Sequence, residues 1–129
     1  MGERLRILVI DDDESIRATT AAILQNEGYA VDTAENGKEA IRRSNADLYR
    51  VALIDFRLPD MKGTELLTAL REAHPKMVKI MVTGYPTVQN AIESVNKHAD
   101  AYFVKPVDYE NLLNTIRNLI KKQGSDTSP

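Results

Sequence analysis

At 129 residues the chain has the length of one domain, enough to bury about two thirds of its unfolded surface in a single core. It contains no cysteine, which excludes a disulfide framework and fits a reducing compartment, by default the cytoplasm. Charge is nearly balanced, 17 Lys and Arg against 19 Asp and Glu, so no broad basic surface for nucleic acid is expected; apolar runs stop at four or five residues, too short to span a membrane.

Short apolar runs alternate with helical patterns along the chain. Ile7-Leu8-Val9-Ile10 marks a strand over 6–10 that ends on Asp11-Asp12. A helix over 14–26 follows, capped by Asp13, with Ile16, Thr19, Thr20, Ile23 and Leu24 along one face and Gly28 just beyond its end. A strand over 29–33 leads through Asn36-Gly37 into a helix over 37–45. Val51-Ala52-Leu53-Ile54 forms a strand over 51–55 that ends on Asp55, and the helix over 63–73 carries Leu66, Leu67 and Leu70 before Pro75 stops it. A strand over 78–82 runs into Thr83-Gly84, then come a helix over 87–97 and a strand over 101–104 that ends on Lys105-Pro106. The last helix, over 108–122, is capped by Asp108 and presents Leu112, Leu113, Ile116, Leu119 and Ile120 at helical spacing. The domain is therefore expected over 1–122, with 123–129 a disordered tail or the start of a linker.

Five strands alternating with five helices specify an α/β fold, a doubly wound five-stranded parallel sheet flanked by helices, with the expected order 2-1-3-4-5. In that order the first and third strands border the switch point where open sheets form a crevice, so Asp11, Asp12 and Asp55 converge there with Lys105 beside them. A lone Asp at a strand end is often only a cap or turn former. Several charges gathered where the fold leaves a pocket argue for a site, and three carboxylates that repel one another suit Mg²⁺. Thr83 ends its strand at the same edge; its hydroxyl either serves the site or merely shapes the turn before Gly84. Lys105-Pro106 is either trans, beginning a loop, or cis, fixing the lysine's approach. The chain has no GxGxxG or GxxxxGK[ST] loop, which argues against dinucleotide and nucleoside triphosphate binding, and His74 and His98 are given no catalytic or metal role.

The strings Ile7 to Asp13, Leu53 to Gly63, Val82-Thr83-Gly84 and Tyr102 to Pro106 closely resemble the receiver domains of two-component response regulators, the CheY-like branch of flavodoxin-like folds. The likeness covers about residues 5–122, and four motifs in order make it specific. It implies that Asp55 accepts a phosphoryl group from a histidine kinase or phosphotransfer protein, with Mg²⁺ held by Asp11, Asp12, Asp55 and the Arg57 carbonyl. Lys105 would offset charge on the phosphoryl group. Thr83 and Tyr102 would form a switch, the hydroxyl moving to the new phosphoryl oxygen and the ring turning inward, so that the face of the fourth helix, fifth strand and fifth helix binds an output partner or a second copy. The stretch from Thr83 to Ile92 looks like regulators of the transcription-activator type.

Three departures from the family pattern stand out. His98 occupies a common Gly position, so the fourth helix is expected to end differently. Gly84 replaces a frequent Ala, and Arg57 and Tyr85 flank the pocket where they obstruct or orient a hydrolytic water. Two other functions compete with the signalling one. An aspartyl-phosphate phosphohydrolase would use Asp11 with Asp13 as its acid but leaves Asp55 unexplained. A phosphorylation-independent interaction module would be expected to lack an acidic position or the lysine, and none is missing.

Overall fold

The computed structural model describes residues 4–126. The strands are β1 (Arg6–Ile10), β2 (Ala30–Ala34), β3 (Val51–Asp55), β4 (Val78–Thr83) and β5 (Ala101–Val104), and the helices α1 (Glu14–Asn26), α2 (Gly37–Ala46), α3 (Gly63–Ala73), α4 (Val88–Asn96) and α5 (Tyr109–Asp126). All pairings are parallel and the order is β2-β1-β3-β4-β5, a CheY-like flavodoxin fold. Alternation along the strands sorts the core into two layers. Leu8, Ile10, Ala52, Ile54 and Met81 face Leu66, Leu67 and Leu70 of α3, whereas Ile7, Val9, Leu53, Ile80 and Val82 face Leu24 of α1 and Leu112 and Ile116 of α5. Truncating any one of the fully buried leucines to Ala would cost about 2–5 kcal/mol.

Element ends follow from capping. Asp13 accepts from Ile16 N at 3.1 Å, Asn36 from Glu39 N at 2.8 Å, Thr87 from Asn90 N at 3.0 Å and Asp108 from Asn111 N at 3.2 Å. Tyr29 N is used to close α1 on Leu24 O, so β2 begins one residue later than its apolar pattern suggests. α5 continues to Asp126, past the end expected at 122. Arg50, just before β3, holds that last stretch by donating to Gln123 Oε1 at 3.0 Å and to Ile120 O, and Gln123 donates to Lys76 O. The tail expected over 123–129 is thus helical to 126, and 127–129 lie outside the described residues.

α1 and α4 close in the same way. Gly28, at φ 100°, lets Tyr29 N reach Leu24 O and Gly28 N reach Gln25 O; at α4, Ala99 N reaches Ser94 O and His98 N reaches Val95 O. His98 sits at φ 67°, so the expectation that it would change the helix end is not met. The imidazole residue adopts the left-handed backbone a glycine takes freely, at a cost of about 1 kcal/mol. α4 is also the least embedded helix: Ser94 is its one buried residue, and Val88, Ile92 and Val95 are 75%, 53% and 69% exposed. A partly buried tie to α3 holds it, Thr64 Oγ1 donating to Glu93 Oε2 at 2.5 Å.

Candidate functional site

Strand register sets the site. Ile10 lies opposite Ile54, so Asp11 and Asp55 leave the sheet side by side; Asp55 pairs with Val82, and Thr83 with Val104, one residue before Lys105. Carboxylate oxygens of Asp11, Asp12 and Asp55 lie within 4.8 Å of one another, with Asp11 and Asp55 buried and Asp12 exposed. Lys105 Nζ bridges the buried pair, 2.7 Å from Asp11 Oδ2 and 3.4 Å from Asp55 Oδ2. The Lys105–Pro106 peptide is cis. Asp11 is fixed further by Asp13 N, which donates to its Oδ1 at 2.9 Å, and by Arg17, whose guanidinium donates to its carbonyl at 2.8 Å.

Electrostatics follow from this crowding. Burial, then the neighbouring Asp11 charge, push the Asp55 carboxyl up to about 6, against the pull of Lys105 and the Arg57 backbone N–H. Burial acts against the Lys105 ammonium, but its hydrogen bond to Asp11 and the two carboxylate charges outweigh that and raise its pKa. The anionic excess of the cluster suits a divalent cation, and the donor set is all oxygen, as Mg²⁺ requires. Asp11, Asp12 and Asp55 can thus hold a metal ion.

The remaining residues singled out in the sequence surround this cluster. Thr83 is fully buried; its Oγ1 accepts from Tyr85 N at 2.9 Å, and its carbonyl accepts from Lys105 N at 2.8 Å. Tyr102 is half-buried with its hydroxyl already enclosed and without a hydrogen-bond partner among the described residues. Arg57 places its guanidinium 3.9 Å from the centre of the Tyr85 ring, so the two residues flanking the pocket are stacked on each other. Asp13, the second Asp of a possible hydrolase pair, spends its carboxylate on the α1 cap. Sequence reasoning passed over Arg17 and Asp60. Their partners are backbone groups that no spacing rule identifies, Asp11 O for Arg17 and the amides of Gly37 and Lys38 for Asp60.

Comparison with known proteins agrees with this arrangement. A CheY-like response regulator receiver domain protein from Methanospirillum hungatei JF-1 superposes with a TM-score of 0.92 at 41% identity, covering 96% of this chain and 99% of that one. A response regulator protein from Burkholderia pseudomallei, whose crystal structure holds a phosphorylated aspartic acid, a calcium ion and citrate, matches with a TM-score of 0.83 at 31% identity over 95% of this chain and 73% of that one. The transcriptional regulatory protein ZraR of Klebsiella oxytoca is 31% identical over 128 residues, 99% of this chain, and this chain spans 29% of ZraR's own length. Residues 7–117 match the sequence profile of the response regulator receiver domain. With a strand-end acidic cluster on a CheY-like sheet and a profile match across most of its length, the chain belongs to the receiver domain family of response regulators, the signalling domains of two-component systems.

Proposed function

We propose that the domain is a phosphoacceptor: Asp55 takes a phosphoryl group from the phosphohistidine of a histidine kinase or phosphotransfer protein in the cytoplasm. The observation that carries the reading is the Lys105 ammonium set between the buried carboxylates of Asp11 and Asp55 at the sheet's switch point. In the transfer a carboxylate oxygen of Asp55 forms the new bond to phosphorus while the phosphorus–nitrogen bond breaks and the imidazole leaves with its electron pair. Asp11, Asp12 and Asp55, with the Arg57 carbonyl, would hold Mg²⁺, which when bound offsets charge on the equatorial oxygens. Lys105, already beside the Asp55 carboxylate, would offset charge on the same oxygens. Thr83 accepts from Tyr85 N and keeps its own hydroxyl proton for donation to a phosphoryl oxygen. The phosphorylated aspartic acid of the Burkholderia relative supports the assignment to Asp55.

The signal is a population shift in α4, β5 and α5. Movement of Thr83 toward the phosphoryl group changes the space beside Tyr102, and α4, with one buried residue, is the helix that least resists displacement. Val88, Ile92, Val95 and Val104 make that face apolar, suited to an output domain, an effector or a second copy of the chain. The hydrolase reading is weaker because Asp13 is committed to its cap.

Incubation with acetyl phosphate and Mg²⁺ tests the proposal. The expected result is one acid-stable, base-labile label per chain, lost in Asp55→Ala. Rapid release of phosphate from many phosphomonoesters would favour the hydrolase, and no label at all would favour an interaction module.

A further inference from the structure

Between Asp55 and α3 the chain makes a loop that is anchored at two places. Near the sheet, Phe56 N donates to Val82 O at 2.9 Å and Gly63 N to Phe56 O at 2.7 Å, while Arg57 bridges Lys62 and Leu58 N closes a turn on Met61 O. At the tip, Asp60 reaches across to the first turn of α2. Its Oδ1 accepts from Gly37 N at 2.8 Å and its Oδ2 from Lys38 N at 2.9 Å, more than 20 residues away in sequence. A helix cannot satisfy its first amides internally, and Asn36 serves only Glu39 N. Asp60 therefore supplies half of the cap of α2 from another loop, with its negative charge at the positive end of the helix dipole. The Gly37 and Lys38 amides hold the Asp60 carboxyl below the usual range, although burial opposes them. Met61 packs its sulfur onto Gly37 so closely that a Cβ there would clash.

Arg57 is paired with Lys62 in the sheet-side anchor and lies three residues before Asp60, on the stretch that joins the two anchors. We infer that Asp60 is a positioning residue for the metal site: by pinning the loop tip to α2, it holds the Arg57 main chain where its carbonyl completes the oxygen set around the cation. This rests on the phosphoacceptor reading above. A group that orients a metal ligand without touching the metal still tunes affinity, because a loosened ligand must be ordered again on binding.

A cap that serves only α2 predicts something different, and Asn36 provides the control, since it caps the same helix through Glu39 N and its side chain makes no hydrogen bond to the loop among the described residues. Mg²⁺ is titrated into wild type, Asp60→Ala, Asp60→Asn and Asn36→Ala, followed by amide NMR shifts around Asp11 and Asp55, with hydrogen exchange of α2 measured on the metal-free proteins. Both Ala variants are expected to speed exchange in the first turn of α2. Asp60→Ala alone should weaken Mg²⁺ binding, by about tenfold, and Asp60→Asn, which keeps one acceptor oxygen, should fall between. With acetyl phosphate, the Mg²⁺ concentration for half-maximal labelling should rise while the plateau rate stays within about twofold of wild type. An Asp60→Ala affinity equal to wild type, or an equal loss in Asn36→Ala, overturns the inference alone. A wild-type chain that binds no Mg²⁺ sinks the phosphoacceptor reading and this inference with it.

Discussion

Replacing Asp55 by Asn keeps the shape of the side chain and removes its charge, which turns the crowding of the acidic cluster into a measurable stability difference. The carboxyl rises from 3.8 in the unfolded chain to about 6 in the fold, a native-state penalty on the charged form of about 3 kcal/mol. One side of the site is open to water, so solvent screening brings the expected value to about 1–2 kcal/mol. The sign follows from proton linkage. Between 3.8 and about 6 the folded protein binds more protons at this group than the unfolded chain, so wild-type stability falls as pH rises through that window. Below it both states are protonated and the penalty is absent; above it the penalty is complete. Metal-free Asp55→Asn should therefore match wild type near pH 3.5 and exceed it at pH 7, with a melting temperature higher by about 5 °C. Thermal and urea unfolding of both proteins across pH 3.5–7.5 with chelator provides the comparison, and effects of titrating groups remote from the cluster cancel in the difference. Saturating Mg²⁺ should shrink or reverse the gap, because the ion stabilises most the protein that keeps all three carboxylates. A gap that does not change with pH would show that Lys105 fully offsets burial and Asp11, and an Asn variant less stable at pH 7 that Lys105 outweighs them; either result refutes the reasoning.

Three further outcomes are expected. His98→Gly removes the left-handed strain at the end of α4 and should raise the urea midpoint by the equivalent of about 1 kcal/mol without changing the slope; an unchanged or lower midpoint contradicts that account. Thr64→Val deletes the donor to Glu93 and should speed amide exchange in α4 about tenfold while α1 and α5 are unaffected, the loss of one hydrogen bond to a carboxylate; uniform exchange across the helices would show that this tie does not hold α4. Tyr85→Ala removes the platform under Arg57, worth about 0.5–1 kcal/mol, and should shorten the half-life of labelled Asp55 about two- to fivefold by opening a path for water; an equal half-life removes the pair from the dephosphorylation step.

What the sequence disclosed depended on how local each signal is. Apolar runs that stop on Asp11, Asp55, Thr83 and Lys105 announce a common edge, because parallel strands place all such ends together, and the structure puts them there. The order of the strands was legible partly through likeness to the family. Features built on backbone partners were not legible: the reach of Asp60 to two amides of α2, and the hold of Arg50 on the last turns of α5, which carries the helix through a polar stretch that composition alone reads as a tail. His98 illustrates a different limit. Propensity disfavours a left-handed histidine, but the buried Ser94 and the turn into β5 fix the backbone there, and tertiary placement wins over a cost of about 1 kcal/mol. Lys79 is similar: a charged residue inside a strand, buried yet tolerated because its ammonium donates to Met77 O at 2.6 Å, with burial lowering its pKa.

Because the acidic cluster, Thr83 and Lys105 hang from one rim of the sheet, the opposite rim is left for other uses. Leu48, in the loop that enters β3, is 89% exposed and sits a strand's length, about 17 Å, from Asp55. In a chain without cysteine, Leu48→Cys creates a unique thiol for a dye, a spin label or a surface tether. Fluorescence or force measurements made from that handle would leave the working end of the molecule untouched, and substitution at Leu48 itself should be tolerated for the same reason, whereas Tyr49 and Arg50 beside it are held by Asp32 and α5.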